Sequence, residues 1–567
     1  MAHVWSPLWV GQGGLSLLAA AGLVRCGYAL AEGKLSLRAV NRLRGVVLGL
    51  VGLAVMAEFL LTTWYLRVPG FMDHIEASVA SDVHYFLAGL PVYPATNQYT
   101  FHGLLYGPLL VELNSLGYFI HVNPVAAKVV GWLAAWAALW AILATFRLDD
   151  RSWSGVLGPA YGLSLLVAFG GELTTDRSES MLLLCACLAL ICGRWRNTRL
   201  AIPLLGALCG TASALKLHGP LYCVPGLYLC AAQIPREVWR SRQVMIWAGY
   251  FLVAAIGSGL LPFLPSNVSL SGYWQYLVLA LKHGASLRLF LLNCAFVIGI
   301  WSPLLLLMPG LAQLRRLSAA SRALAASLFA SEALVVAVAS KPGAGVHHLL
   351  PFLAAHAYLF QRTFLETRVS RDVPLETDLR AVAAVGATLL GMTFPALHTL
   401  GELAQFNRRA TEQAAERDEL LRFWNTYPRG MLGVAGIDSY SLATLRPWLT
   451  LHGALQTDYG AFMDLKLSGV SDAPLREAFD NCAIPFVYMP RPGEPFSLPS
   501  NYGGPLFSGE LRAHFADRYR LIAHGAYFDV FSCRRPPPND GHSQVPPSVP
   551  SQMRSVPSPR STSGAST

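Results

Sequence analysis

The stretch VVLGLVGLAVMAEFLLTTWYL, residues 46–66, is an almost unbroken apolar run, long enough to cross the hydrocarbon core of a bilayer as a helix. Further runs of similar character follow at 125–145, 154–171, 179–193, 200–215, 219–234, 243–264, 288–309, 323–340, 346–361 and 380–397. Together with an N-terminal segment at 14–31, they predict a polytopic α-helical membrane protein with about 11–13 transmembrane helices.

The composition agrees with this pattern. Of the 567 residues, 53% are hydrophobic and only 13% are charged, and the mean hydropathy is +0.42, which excludes a water-soluble domain built around one core. The net charge of +10 does not indicate nucleic-acid binding, because Lys and Arg cluster in short segments between the apolar runs. The run at 14–31 is interrupted by Arg25 and fits a marginal first span or an interfacial helix better than a signal peptide.

Arginine-rich connections predict the orientation of the chain. Such segments are typical of the cytoplasmic face, and here they lie at 193–199, 235–242, 314–322 and 361–371. Counting spans alternately from them places another set of connections on the extracytoplasmic face, at 67–124, 172–178, 216–220, 265–287 and 341–348. These outward connections hold most of the residues that are able to do chemistry.

The first outward connection is rich in acidic and aromatic residues. Asp73 and Glu76 are three residues apart, so one helical turn brings both carboxylates to one face. Two neighbouring carboxylates at a membrane boundary raise each other's pKa, which suits a general base near neutral pH. The alternative interpretation is a solvated acidic loop. The nearby segments 89–94 and 99–109 add Gly, Pro and Tyr, which favour a fixed cavity wall.

Basic residues also gather at outward helix ends, where membrane topology disfavours them. They are Arg177, Lys216, His218, Lys341, His347 and His348. An anionic ligand explains the group, since Lys and Arg neutralise a phosphate and imidazoles bind it by hydrogen bonds. For any single member, snorkelling to the interface is the alternative. Four deeper ionisable residues, Glu58, Lys128, Glu332 and His356, are interpreted as structural pairs or cavity lining.

The last part of the chain has a different character. Residues 399–425 predict an amphipathic juxtamembrane helix after a transmembrane domain at 1–398. Residues 426–535 alternate strand-like and helix-like pieces, which predicts a small extracytoplasmic α/β domain. Its only cysteines, Cys482 and Cys533, fit either a disulfide or two free thiols. Residues 536–567 are rich in Pro and Ser and predict a disordered tail.

The ordered set of outward motifs resembles the GT-C superfamily of integral membrane glycosyltransferases. The motifs are MDHIEASVASDVHYFLAGLPVYP (72–94), YGPL (106–109), TDRSE (175–179), ALKLHGP (214–220) and KPGAGVHHLLPF (341–352). The chain looks most similar to the bacterial branch related to protein mannosyltransferases and aminoarabinose transferases. The likeness covers residues 45–400, and the domain that follows is similar to the extracytoplasmic domains that such enzymes often carry.

This resemblance implies an inverting transferase that moves a hexose or pentose from a polyprenyl-phosphate donor to an envelope lipid, glycan or protein. Asp73 is the first choice for the base and Glu76 the second, and the basic residues above bind the donor phosphate. The substrate contacts implied are Tyr93, His102, Tyr106 and Glu179. No cofactor and no metal are predicted, because no ligand spacing argues for them. The expected location is the bacterial cytoplasmic (inner) membrane, with the site facing outward.

A transporter or flippase for an anionic or lipid-linked glycan is the main rival interpretation, because it also needs about a dozen spans and an anion-binding cavity. Such proteins usually show paired halves and helices broken near the midplane, which this sequence lacks. A scaffold whose outer domain binds a partner is the third possibility.

Overall fold

The computed structural model describes residues 37–71, 74–103, 105–120, 123–147, 156–166, 178–239, 242–308, 315, 317–369, 374–436, 444–454, 456–500 and 504–534. The N-terminal segment at 14–31, Asp73, Arg177 and the tail at 536–567 lie outside these residues.

Helices dominate residues 37–426. The α-helices are α1 (Leu37–Tyr65), α2 (His74–Leu87), α3 (Pro108–Ser115), α4 (Lys128–Arg147), α5 (Leu157–Leu166), α6 (Ser178–Gly193), α7 (Thr198–Leu215), α8 (Val224–Ala232), α9 (Arg236–Trp239), α10 (Arg242–Leu260), α11 (Leu270–Leu281), α12 (Leu287–Leu307), α13 (Ala319–Val338), α14 (Leu353–Val369) and α15 (Pro374–Thr426). Short 3₁₀-helices join them at Leu116–Phe119, Pro124–Ala127, Gly219–Cys223, Leu261–Phe263 and Val346–Phe352.

Each apolar run predicted between 46 and 397 contains a helix. Among the described residues, six helical stretches are both long and apolar enough to cross a membrane, at 38–65, 124–145, 198–215, 242–263, 287–307 and 319–338. Shorter apolar helices lie at 157–166, 178–193 and 219–232. The predicted fold class, a polytopic helical membrane protein with a small C-terminal α/β region, is therefore confirmed.

One helix crosses a boundary that the sequence placed at 398. The helix α15 runs without interruption from Pro374 to Thr426, because residues 401–424 are rich in Ala, Glu, Gln, Arg and Leu, which favour helix. It ends just before Tyr427 and Pro428, and the residue preceding a proline is disfavoured in helical conformation. The membrane domain and the juxtamembrane segment thus share a single helix.

Helix α10 and helix α14 show the two kinds of environment in the membrane domain. No residue of α10 is buried, and large side chains such as Met245 and Val253 are exposed, as expected for a helix that packs on α7 and faces lipid. In contrast, α14 is buried along most of its length, including Phe360 and Phe364. Helix α14 therefore lies in the core of the helical domain.

The C-terminal domain combines a small sheet with short helices. Its elements are β1 (Met431–Leu432), α16 (Arg446–Leu451), α17 (Tyr459–Leu467), α18 (Ala473–Asp480), β2 (Phe486–Pro490), α19 (Gly509–Arg518), β3 (Tyr519–His524) and β4 (Phe528–Cys533). The strand order is β1-β2-β4-β3, with β1 parallel to β2 and the other pairs antiparallel. Cys482 and Cys533 form a disulfide, with Cα atoms 5.8 Å apart.

Candidate active site

Chain-distant helix ends bring three of the predicted residues into contact. Glu179 lies in the first turn of α6, Lys216 directly follows α7, and His347 lies in the 3₁₀-helix before α14. The ammonium of Lys216 forms an ion pair with Glu179 Oε1, and both side chains are almost completely buried. His347 Nε2 is 3.9 Å from the same oxygen. The predicted convergence of these helix ends is therefore observed, and their outward orientation stays a prediction.

Tyr106 covers the ammonium of Lys216. The Lys216 Nζ atom lies 4.6 Å from the centroid of the Tyr106 ring, which is a cation–π contact. The next residue makes this approach possible. Gly107 N–H donates to Leu215 O at 2.9 Å, and a Cβ at position 107 would lie 1.8 Å from Ala214 O. Only glycine fits there, so the YGPL segment is fixed against the end of α7.

A second group of side chains supports this cluster. His218 Nε2 is 3.1 Å from the Tyr222 hydroxyl, and that hydroxyl donates to His348 O at 2.7 Å. Because the hydroxyl proton is used by His348 O, His218 Nε2 is the donor in the first contact. Burial, and then the charge of Lys216, lower the pKa of His218 to about 3. His218 is therefore a neutral hydrogen-bonding group near neutral pH.

Lys341 lies at the edge of the cluster. Its ammonium donates to Ala280 O at 3.3 Å, and partial burial lowers its pKa. Its charge also contributes to the low pKa of His218, so the two side chains are neighbours. We name Glu179, Lys216, His218, Lys341, His347 and His348 the basic cluster.

The carboxylate of Glu76 lies at the start of α2 and is fully buried. The Tyr65 hydroxyl, at the end of α1, donates to Glu76 Oε2 at 2.5 Å. Lys128 Nζ lies 3.5 Å from the centroid of the Tyr65 ring and donates to Gly70 O. Lys128, which the sequence analysis assigned to pairing or cavity lining, thus lies next to the partner of the loop carboxylate.

Helix α3 connects the two halves of the site. It packs against α2, which carries Glu76, and against α7, whose end carries Lys216. Helix α3 therefore lies next to both the helix that carries the loop carboxylate and the helix whose end carries Lys216. Helix α3 also carries Glu112, a half-buried carboxyl group whose pKa burial raises to about 7. Sequence reasoning missed Glu112, although YGPLLVEL places it one helical turn after Pro108.

Two of the predicted substrate contacts have backbone partners. The Tyr93 hydroxyl donates to Tyr106 O at 2.7 Å, and its ring lies 5.2 Å from that of Tyr273. His102 Nε2 is 3.0 Å from Pro91 O. Both side chains are buried, and their bonds hold the connection between α2 and α3 in place. The cavity wall expected from the Gly, Pro and Tyr content stays a prediction. Tyr106 and Glu179 lie in contact with Lys216, and the role of all four in substrate binding stays a prediction.

Three residues of the basic cluster have an arrangement that could hold a metal ion. Glu179, His347 and His348 each offer one ligand atom, and these atoms lie within 4.8 Å of one another. Two imidazoles and a carboxylate suit a divalent transition metal. The ammonium of Lys216 already binds Glu179, so a cation would compete with it. The expected absence of a metal stays a prediction.

The remaining deep ionisable residues have structural surroundings. His356 Nε2 forms a hydrogen bond with Glu332 Oε1, and Trp301 Nε1 donates to Glu332 Oε2 at 2.7 Å. Glu58 lines an apolar cavity beside Trp132 and Trp136. Both arrangements match the interpretation made from the sequence.

Comparison with solved structures shows which known fold this is. The structure of ArnT from Cupriavidus metallidurans bound to undecaprenyl phosphate superimposes with a TM-score of 0.53 at 15% identity, covering 86% of this chain and 98% of that chain. The apo structure of the same ArnT gives 0.51 at 13% identity, covering 85% and 98%. No protein-family model and no curated protein matches the chain.

At this level of identity, the likeness shows the fold. The GT-C resemblance inferred from the outward motifs is confirmed in that respect.

Proposed function

We propose that this chain is an inverting glycosyltransferase that moves a sugar from a polyprenyl-phosphate donor to an extracytoplasmic acceptor. The observation that carries the proposal is the convergence of Tyr106, Glu179, Lys216 and His347 around one buried ion pair. Glu76 lies on a helix that packs against α3, as does the helix whose end carries Lys216. Support comes from the shared fold with ArnT, whose crystal structure contains undecaprenyl phosphate. The proposed location is the bacterial cytoplasmic membrane, with the helix ends that carry the basic cluster directed outward.

In this proposal, the basic cluster binds the phosphate of the donor. An ammonium group carries three donors, so Lys216 can bind Glu179 and phosphate oxygens together. Glu179 then orients the lysine, and Lys341 and Arg177 add positive charge near the leaving group. His218 is neutral and contributes hydrogen bonding through Tyr222. Negative charge on the leaving phosphate grows in the transition state, and fixed cations are most effective at that point.

The reaction is a single displacement at the anomeric carbon. The acceptor hydroxyl loses its proton to a loop carboxylate, Asp73 or Glu76, while its oxygen forms a bond to the anomeric carbon. The bond between that carbon and the phosphate oxygen breaks, and the polyprenyl phosphate leaves with the electron pair. Tyr65 orients Glu76 by its hydrogen bond. The acceptor approaches opposite the phosphate, which inverts the configuration.

The test uses full-length protein in lipid nanodiscs with a radiolabelled polyprenyl-phosphate sugar. Asp73→Asn and Glu76→Gln are compared separately for donor binding and for transfer to an envelope extract. Loss of turnover by about 10²–10⁴-fold in one variant, with donor binding kept, identifies the base. Equal turnover in wild type and both variants would contradict the proposal.

A transporter or flippase for a lipid-linked or anionic glycan is the competing function. It predicts movement of labelled substrate across proteoliposomes with no new glycosidic bond. Mass spectrometry of glycolipids from cells with and without the gene distinguishes the two, because only a transferase adds a sugar to an acceptor.

A further inference from the structure

One buried arginine of the C-terminal domain contacts helix α2. Arg446, at the start of α16, is only 4% exposed. Its Nη1 pairs with Asp458 Oδ2 at 2.6 Å, and its Nε donates to Ser81 Oγ at 3.1 Å. Its Nη2 is 3.5 Å from Ala77 O. One guanidinium therefore contacts its own domain and two successive turns of α2.

Backbone contacts surround this arginine. Tyr85, near the end of α2, donates its hydroxyl to Gln456 O at 3.2 Å and accepts from Gln456 N–H at 2.9 Å. Asp458 N–H donates to Phe101 O, and Thr457 Oγ1 donates to Tyr99 O at 3.0 Å. The short segment 456–458 is thus bonded both to α2 and to the connection that follows it.

The same domain reaches the first turn of α2. A Cβ at Gly460, in α17, would lie 2.7 Å from His74 Cδ2, so the domain backbone touches this histidine closely. His74 is two residues before Glu76 and directly follows Asp73. The contact therefore involves a residue that is next to Asp73 and two positions from Glu76 along the chain.

Arg446 and Asp458 are an oppositely charged pair within this contact. Burial alone would raise the pKa of Asp458, but the Arg446 guanidinium holds it below its ordinary value. Asp82 is also buried nearby, and burial raises its pKa well above the ordinary value. Asp458 therefore supplies the negative charge. A planar guanidinium fixes direction as well as distance, which an apolar contact of similar area does not.

We propose that Arg446 is a positioning residue through which the C-terminal domain holds α2, and with it the Glu76 carboxylate, in the geometry needed for transfer. The inference rests on the proposed function. It makes the C-terminal domain part of the catalytic unit, with no contact between Arg446 and the substrate.

The test uses the double variant Arg446→Met/Asp458→Asn, which removes both charges and leaves neither buried without its partner. Misplacement of a reacting group by about 1 Å costs roughly 100-fold in rate, so kcat is expected to fall by that order. Donor binding is expected to stay within about threefold, because the basic cluster is untouched. Amide hydrogen exchange of residues 74–87 is expected to become faster.

Two further variants calibrate this result. Arg446→Lys keeps the charge but not the fork of donors, so it should show an intermediate kcat. Arg476→Ala removes the exposed ion pair with Glu510 in the same domain, away from α2, and should match wild type in every readout. If the double variant fails to fold, Tyr85→Phe removes only the hydroxyl contact with Gln456 and should still lower kcat and protection of 74–87.

Unchanged kcat and unchanged exchange in the double variant would overturn the inference. A parallel loss of donor binding and kcat, with exchange of 74–87 unchanged, would also overturn it. Failure of the proposed function has a different signature, because wild-type protein would then show no transfer while the effect of the double variant on exchange would persist.

Discussion

Two buried glutamates in the helical domain each bind a basic side chain, but in different surroundings. Glu332 pairs with His356, and its other oxygen accepts from Trp301, so this group is closed within α12, α13 and α14. Glu179 pairs with Lys216 at helix ends, where His347 is 18% exposed. We call the pair of Glu332 and His356 the closed pair, because it joins helices to one another. We call the pair of Glu179 and Lys216 the open pair, because a ligand from outside the helices can reach its neighbours.

Burial of a polar pair therefore does not by itself distinguish a structural role from a functional one. The two pairs differ in the residues that surround them. The Glu332 pair is satisfied by one indole on a neighbouring helix, whereas the Glu179 pair is joined by residues from two further connections: an aromatic ring from one, and two histidines and a second lysine from the other. Convergence of several connections indicates a site, and closure by one neighbour indicates a helix contact.

Among changes at these two pairs, replacement of Lys216 in the open pair should have the largest effect on catalysis. Lys216→Met removes a cation from the proposed leaving-group site, so transfer should fall by roughly 10²–10³-fold. Initial rates with a labelled polyprenyl-phosphate donor measure this. The double variant Lys216→Met/Glu179→Gln is the matched control, because Lys216→Met alone leaves the Glu179 carboxylate buried without its cation. The double variant should be equally inactive but better folded. Wild-type transfer in either variant would show that the pair of Glu179 and Lys216 has no more part in catalysis than the pair of Glu332 and His356.

Replacement at the closed pair should affect stability instead. Glu332→Leu leaves the buried His356 imidazole without its hydrogen-bond partner, and an unsatisfied buried polar group costs about 1–3 kcal/mol. The melting temperature in detergent should fall, and the paired change Glu332→Leu/His356→Leu should recover much of the loss. The rate per folded molecule should equal that of wild type. A specific loss of transfer in well-folded double variant would place this pair in the reaction.

His347 lies at the more exposed edge of the open pair. Its imidazole lies 3.9 Å from Glu179 Oε1, so it is a neighbour of the bound phosphate in the proposed site. His347→Ala should weaken donor binding by about tenfold, the scale of one charged hydrogen bond. Titration with polyprenyl phosphate measures the affinity. Wild-type affinity in this variant would exclude the histidine from the phosphate site.

His218 gives the smallest expected effect, and it concerns pH. Its pKa is lowered from 6.5 to about 3 in the folded protein, so the unfolded chain binds more protons below pH 6.5. Its contribution therefore destabilises the fold progressively as pH falls from about 6.5 toward 3. His218→Gln keeps a donor for Tyr222 and should reduce this acid sensitivity. Melting temperatures at pH 7.5 and pH 5 check it, and an unchanged difference would contradict the assigned neutral state.

The sequence predicted the residues of the basic cluster better than the residues that hold the site in place. Lys216 and His347 were identified because basic residues at outward helix ends conflict with the usual topology of membrane proteins. Tyr222 and Tyr65 were missed, because a tyrosine in or beside an apolar run has no pattern that reveals its hydrogen bond. Arg446 was missed for another reason: its partners Ser81 and Ala77 lie more than three hundred residues away, and no periodicity connects them.

The helices were predictable because lipid requires long apolar segments with internally satisfied backbones. The boundary at 398 was less predictable, because polar residues can continue a helix that leaves the membrane. The same limit applies to α3. Its eight residues carry no strong periodicity, yet this helix joins the loop carboxylate to the basic cluster.

A structure of the full-length protein in nanodiscs with a non-transferable polyprenyl-phosphate sugar analogue is the most direct test of the account. We expect the phosphate to contact Lys216 and the anomeric carbon to face Asp73 or Glu76, with room for an acceptor hydroxyl between them. A phosphate bound away from Lys216, or an anomeric carbon that neither carboxylate can approach, would contradict it.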